Sequence, residues 1–433
     1  MIKSIFKLLF ILSLVSGCTN STNKNRELAK KIETDSIFDK VQQMALEVVK
    51  TGFNAGDGYG EVWIRDYNTF IELSAKVYPK DVLKENLLVF FRLQGDDGNI
   101  IDGFVPQSKV VPAEGGYKWI YTDLEPTYCG HKNTVETDQE TSLVQAVYKY
   151  FQATGDKDIL TEQVGNKTVA QRMEDAMTFL LKHRWSDKYG LIWGATTADW
   201  GDVQQSDPWG VFLDENTKYA IDIYDNAMLI IALDNLMEML PEKKQRWQKV
   251  RDGLAENSMK YLWDEKNSKF IPHLYLDGSP FPDDFDENKI FYHGGTAVAI
   301  EAGLLNREQI KISLDKMLEN VKASGAASIG LTLYPTYPEG FFENKGMYPY
   351  GYQNGGDWTW FGARMIQQLV RYGFVKEAYE NIQPMTDRVV KNKGFYEWYT
   401  VDNKPEGSGT FRGSAGVLYK AIEMLDAWAA GNR

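Results

Sequence analysis

Five short segments of this 433-residue chain concentrate acids, four of them beside tryptophans. In the first, Glu61 to Tyr67 (EVWIRDY), Trp63, Arg65 and Asp66 stand at the entrance to a helical pattern. Arginine and aspartate give directional hydrogen bonds to neighbouring hydroxyls, and an indole offers a flat apolar face to the C–H side of a pyranose. Asp66 alone would also serve as a first-turn helix acid. The second segment, Val135 to Glu140 (VETDQE), enters another helix with Glu136 and Asp138. Capping accounts for part of that acidity, and ligand binding for the rest. In the third, Trp193 to Asp202 (WGATTADWGD), Asp199 and Asp202 flank Trp200 and Gly201 where no helical pattern exists. A carboxyl held against indole is poorly solvated, so its pKa rises, as a general acid working near neutral pH requires. The fourth is Gly355 to Trp360 (GGDWTW), with Asp357, Trp358 and Trp360. In the fifth, Gly394 to Tyr399 (GFYEWY), Glu397 sits among aromatics next to Trp398. The glycines of 407–414 (GSGTFRGS) then allow close backbone approach, and Arg412 could bind a hydroxyl or orient an acid. Glycoside hydrolysis needs two carboxyl groups on opposite sides of one bond. Glu397 with either Asp199 or Asp202 would supply them, provided the fold brings the two segments together.

The elements that must do so are helices. Apolar residues recur at helical spacing over 36–51, 65–77, 80–92, 138–155, 157–182, 217–240, 241–264, 295–304, 306–322, 357–372, 374–392 and 412–430. From the second onward they fall into pairs joined by tight turns carrying Pro79, Gly155, Pro241, Gly303 or Gly373. Between pairs run long Gly- and aromatic-rich connections: 93–135, 185–215, 265–293, 323–356 and 393–411. Short-linked helices pack antiparallel. Six such hairpins can close into a ring in which every long connection emerges at one end. An open α-solenoid would have more uniform linkers, so the expected fold is all-α, an (α/α)6 barrel over 36–433. In that ring the Asp199/Asp202 connection, after the fifth helix, and the Glu397 connection, before the last, lie nearly opposite in helix order.

The N-terminus carries Lys3 and Lys7 ahead of a short apolar run, Leu8 to Val15, followed by Ser16, Gly17 and Cys18. The run is too short for a membrane span and fits a secretory signal. The string LVSGC resembles a bacterial lipobox, which implies cleavage before Cys18 and acylation of its thiol. The expected organisation is a signal peptide over 1–17, a polar tether over 18–35 and the barrel beyond. The protein would then be a monomeric cell-envelope lipoprotein, on the periplasmic or outer face of a bacterial membrane and held by lipid alone. After cleavage one other thiol remains, Cys129, so neither an intrachain disulfide nor a Cys-based metal site is expected. The acidic run Asp283 to Glu287 lacks the calcium-loop pattern, and neither metal nor cofactor is expected. A formal net charge of -12 argues against nucleic acid as partner and disfavours a polyanionic substrate.

These residues resemble the six-hairpin glycosidases, the superfamily of glucoamylase, trehalase, processing α-glucosidase and the glucosidase half of glycogen debranching enzyme. Trp63-Ile64-Arg65-Asp66 looks like the Trp-x-Arg-Asp at the mouth of an early helix in several members. Phe395 to Tyr399 is similar to the aromatic-flanked Glu of trehalase-like enzymes. The resemblance implies a general acid between helices five and six and a base, Glu397, between eleven and twelve. Asp199-Trp200-Gly201-Asp202 departs from the trehalase-like arrangement; Trp200-Gly201-Asp202, similar to the Trp-x-Asp of debranching-type glucosidases, favours Asp202. The resemblance thus implies an inverting hydrolase acting on a neutral, α-linked oligosaccharide. Helical barrels also host polysaccharide lyases and epimerases, which use His or Tyr. Of four histidines, His131 and His293 sit in long connections, yet carboxylates outnumber them in every cluster. Unsaturated uronyl hydrolases, which rely on Asp, are a nearer alternative. A glycan-binding lipoprotein without catalysis would stack sugars on Trp and need no opposed acids.

Overall fold

The computed structural model describes residues 23–110 and 118–432. Cys18 and the expected signal peptide lie outside the described residues. Helix α1 covers 23–33. The later helices alternate between two environments, and the extent of their burial says which. Helix α7 (Ile223–Met239) buries fourteen of its 17 residues, and α9 (His293–Glu301) buries eight of nine. By contrast, α8 (Lys244–Tyr261) buries only Trp247, Leu254 and Ser258. A helix apolar all round must be enclosed, whereas one with a single apolar face lies on a surface. Accordingly α3 (Ile64–Ser74), α5 (Gln139–Thr154), α7, α9, α11 (Thr359–Arg371) and α13 (Arg412–Ala430) form an inner set. Each packs against the next in that order, and α13 returns to α3. The ring is therefore closed, an (α/α)6 barrel and not a superhelix. Outside it lie α2 (Ser36–Val49), α4 (Lys80–Arg92), α6 (Val169–His183), α8, α10 (Arg307–Ser324) and α12 (Val375–Asn392). Trp247, fully buried, seats α8 on the ring, with its indole N–H 3.3 Å from Glu174 Oε1 of α6. Truncating it to alanine would cost about 3–5 kcal/mol.

Every connection from an outer helix to the next inner helix is long, so all six inner helices begin at the same end. These connections are more ordered than their composition suggests. The 93–135 stretch contributes three strands to a four-stranded sheet in the order β1 (Val62–Trp63), β2 (Gly103–Pro106), β4 (Glu125–His131), β3 (Ile120–Thr122). The pairing Trp63↔Gly103 ties this sheet to the start of α3.

Three boundaries differ from those read off the sequence. The helix expected from 157 begins at Val169. Before it, Gly165 at φ +64° and Asn166 close a two-residue hairpin (Gln163–Val164 with Lys167–Thr168), and Thr168 and Gln171 form a capping box. The helix expected from 217 begins at Ile223, because Tyr219–Ile221 pairs with Gly194–Ala195 and Leu274–Tyr275. Within the expected tether, 23–33 is helical, with Ala29 and Ile32 each 1 % exposed in the main core. Leu28, Ala29 and Ile32 make one apolar face at helical spacing, a pattern that the polar composition around it obscures.

Candidate active site

Where the inner helices begin, a cavity of about 380 Å³ opens, within the roughly 300–1,000 Å³ range of small-molecule sites. Its floor is aromatic. Trp200 is stacked on Phe361, with ring centroids 4.4 Å apart, and meets Trp358 and Trp360 edge to face at 4.8 and 5.5 Å. Around that floor stand five carboxyl side chains: Asp66, Asp102, Glu136, Asp202 and Glu397. Among the described residues Arg65 is the one basic side chain in the lining, and its charge is already engaged. It reaches Glu136 Oε1 at 2.7 Å and, through Nε, Asp138 Oδ2 at 2.7 Å.

Asp202 and Glu397 enter from connections on different sides of the ring. The Gln353 amide donates to Asp202 Oδ1 at 2.6 Å, while Asn133 holds the Asp202 carbonyl at 3.1 Å. Asp202 Oδ2 has no hydrogen bond among the described residues. Glu397 Oε2 accepts from the Tyr59 hydroxyl at 2.6 Å and from the Ser408 N–H at 3.2 Å. Gly407, at φ +68°, lies so close to Glu397 that an added Cβ would meet Oε2 at 2.4 Å. Glu397 Oε1 has no partner among the described residues. One oxygen of each carboxyl is thus clamped and the other is spare. Burial raises the pKa of Glu397, the Tyr59 and Ser408 hydrogen bonds draw it back, and the charge on Asp202 raises it further. Burial also holds Asp66 well above the usual carboxylate range, opposed by Arg65 and reinforced by Glu397, Asp102 and Asp202. Burial carries Asp102 to about 7. Four buried polar atoms of residues in this lining have no partner among the described residues: Asp66 Oδ1 and the indole nitrogens of Trp63, Trp200 and Trp360. The three indole nitrogens are packed against glycines: a Cβ on Gly103, Gly294 or Gly413 would lie 3.0, 2.8 or 3.1 Å from the Trp63, Trp200 or Trp360 nitrogen.

The family model for the catalytic domain of the glycosyl hydrolase 94 superfamily matches residues 22–401. This chain belongs to that superfamily, and it is a glycosidase. No curated protein matches it. Among solved structures, it is similar in fold to GH63 mannosylglycerate hydrolase from Thermus thermophilus in complex with glucose. That match has a TM-score of 0.64 at 15 % identity, covering 88 % of this chain and 99 % of that one. It is also similar to the rhamnosidase from Klebsiella oxytoca with rhamnose bound, with a TM-score of 0.58 at 14 % identity, covering 90 % of this chain. The match spans 64 % of that rhamnosidase's length. A third similar fold is the GH78 rhamnosidase of Bacillus sp. GL1, with a TM-score of 0.56 at 16 % identity, covering 89 % of this chain and 34 % of that one.

Of the residues singled out in this glycosyl hydrolase, Trp63, Arg65, Asp66, Glu136, Trp200, Asp202, Trp358, Trp360 and Glu397 line the cavity. Five others do not, and each has work elsewhere. Asp199 is 1 % exposed, and its two oxygens accept from the Gly294 and Gly295 N–H groups at 2.7 Å each, so it caps α9. Those glycines leave room for it and for the Trp200 ring, which would lie 2.2 Å from a Cβ on Gly294. Asp138 lies behind the wall, held by Arg65 and by the Tyr224 hydroxyl at 2.6 Å. Asp357 takes hydrogen bonds from Ser328 and from Arg388 at 2.9 Å. Trp398 is packed into the main core. Arg412 bonds the Asn54 carbonyl at 2.7 Å, and the Asn54 amide holds the Tyr59 carbonyl. Arg412 thereby fixes the segment that brings Tyr59 to Glu397. Sequence reasoning missed Tyr59, Asp102, Asn133, Tyr352 and Gln353 in the lining. Each is a lone polar residue in a connection, with no local pattern that marks it.

Proposed function

We propose that this enzyme hydrolyses a neutral, α-linked oligosaccharide from one end with inversion at the anomeric carbon. Asp202 acts as general acid and Glu397 as general base. The observation that carries this reading is that both acids line one cavity and each keeps one oxygen spare beside one clamped in place. In the reaction, Asp202 Oδ2 gives its proton to the glycosidic oxygen as the C–O bond breaks. A water attacks the anomeric carbon from the opposite face and passes a proton to Glu397 Oε1. Bulk water then exchanges the protons back, so one water is consumed per bond. Tyr59 and the Ser408 N–H stabilise Glu397 as the carboxylate that a base must be. Asp66 and Arg65 bind hydroxyls of the sugar, and the aromatic floor takes its apolar face. A uronate substrate fits poorly, since the arginine is already bound to two carboxylates and four more acids share the cavity. At the N-terminus the lipobox-like string supports export and acylation at Cys18. Release of Cys18→Ala protein from the membrane fraction would test that.

The function is tested by release of reducing sugar from a panel of neutral α-linked di- and trisaccharides. Wild type, Asp199→Asn, Asp202→Asn and Glu397→Gln are run in parallel. Loss in Asp202→Asn and Glu397→Gln, with Asp199→Asn affected only as far as its fold is, supports the assignment. Undiminished turnover in either Asp202→Asn or Glu397→Gln overturns it.

A further inference from the structure

Three aromatic side chains stand out among the exposed large hydrophobic residues, and two of them share one rim of the cavity. Trp209 is 48 % exposed and Tyr348 is 46 % exposed. Trp209 sits on a tight turn of the connection after α6, closed by the Gln204 N–H on the Gly210 carbonyl at 2.8 Å. Asp207 Oδ1 accepts from the Trp209 N–H at 2.8 Å within that turn. Both stems of the turn line the cavity, through Val203 and Val211. Tyr348 belongs to the connection before α11, which lines the same cavity through Asn344, Gly346 and Gln353. Its ring lies against Gly351, where an added Cβ would meet it at 2.6 Å. The two connections are tied together: Asn344 donates to the Pro208 carbonyl at 2.9 Å, and the Glu343 N–H to the Gln205 carbonyl at 3.0 Å. Beneath them Val203 and Met347 are buried in one apolar cluster. Both exposed rings are therefore mounted on a braced rim.

The chemistry says which side of the scissile bond this rim faces. These same two connections hold the proposed acid, since Asp202 precedes the Trp209 turn and its clamp, Gln353, follows Tyr348. A general acid protonates the leaving oxygen, so the departing sugar lies on the acid's side. The base side, built from Tyr59 and the 394–411 connection, shows no large exposed aromatic among the described residues. We propose that Trp209 and Tyr348 form a stacking platform for the leaving-group sugars. It binds the apolar face of at least one pyranose beyond the bond that is cut, and it sets a preference for oligosaccharides over glycosides with a small leaving group. The inference rests on Asp202 as the acid.

The test compares α-glucosyl and α-mannosyl fluorides, whose leaving group is too small to reach the rim, with the matching di- to tetrasaccharides. In Trp209→Ala and Tyr348→Ala the ratio of kcat/KM for the oligosaccharide to that for the fluoride is expected to fall roughly tenfold, carried mainly by KM. Trp209→Phe and Tyr348→Phe should restore most of it. An unchanged ratio overturns the platform, whether neither rate moves or both fall together. Calorimetric binding of the tetrasaccharide to Glu397→Gln protein, with and without Trp209→Ala, reads the platform without turnover: equal affinity also overturns it. Failure of the acid assignment shows separately, as oligosaccharide hydrolysis that survives Asp202→Asn.

Discussion

Where the inner helices begin, five carboxyls share a cavity with one arginine, and Asp66 Oδ1 is left without a partner among the described residues. Towards their other end the same six helices line a second cavity of about 390 Å³, and there the charges are matched. Arg364 meets Glu301 at 2.9 Å, Lys420 meets Glu72 at 3.2 Å, Arg251 meets Asp234 at 3.0 Å, and Lys149 donates to the Asn68 carbonyl at 2.8 Å. The inner helices are common to both, so the difference comes from the long connections that reach only the first end. The far cavity is polar because helices of this length carry polar residues where they leave the core, and its groups satisfy one another. The near cavity is unbalanced in charge, and two of its acids, Asp202 and Glu397, each keep an oxygen with no partner among the described residues.

The largest effects should separate chemistry from stability at the near end. Asp202→Asn and Glu397→Gln are each expected to lower kcat/KM by about 10²–10⁴-fold. Both should unfold at or above the wild-type temperature, because neutralising one of several crowded acids relieves repulsion. Kinetics and scanning calorimetry on the same preparations check this, and a large drop in unfolding temperature would break the contrast between the two ends. Arg65→Met should act the other way. It leaves Glu136 and Asp138 buried without a cation, and denaturant unfolding should show a loss of about 3–5 kcal/mol.

At the far end, Glu301→Gln should cost about 1–3 kcal/mol with kcat/KM little changed. Burial raises the pKa of Glu301, but Arg364 and Lys149 more than offset it, and the net shift is downward. A carboxylate with a depressed folded pKa adds stability that is present above its unfolded pKa and lost as pH falls through the folded value. Unfolding free energies measured from neutral pH down through that range should therefore slope less steeply in Glu301→Gln. The smallest effect is expected for Tyr59→Phe. Removing the hydroxyl takes away a hydrogen bond that lowers the pKa of Glu397, so that pKa rises. The acidic limb of the kcat/KM profile should move to higher pH, with a loss of roughly tenfold at the low-pH side. A profile that keeps its acidic limb in place would show that Glu397 is not the group titrating there.

The ring was legible because helical patterns come in pairs joined by tight turns and separated by long connections, an alternation that can be read directly along the chain. Boundaries were less so, since the hairpin before α6 and the strand before α7 rest on pairing with distant segments. The same division runs through the site. Trp63, Arg65 and Asp66 could be read because they sit together at a helix start, and Asp202 and Glu397 because each stands beside indole outside any helix. Asp199 looked equivalent to Asp202 for the same reason. What separates them is that Asp199 reaches the N-terminus of α9, nearly a hundred residues further on. Tyr59 and Gln353 leave no local signature, since each matters only through the carboxyl that folding brings to it.

The central claim is that Asp202 and Glu397 work from opposite faces of one sugar, with water delivered by Glu397. Proton NMR of the anomeric region in the first minutes of hydrolysis, before mutarotation, tests it most directly. The account predicts that an α-linked substrate first yields the β-anomer. Initial release of the α-anomer would contradict it.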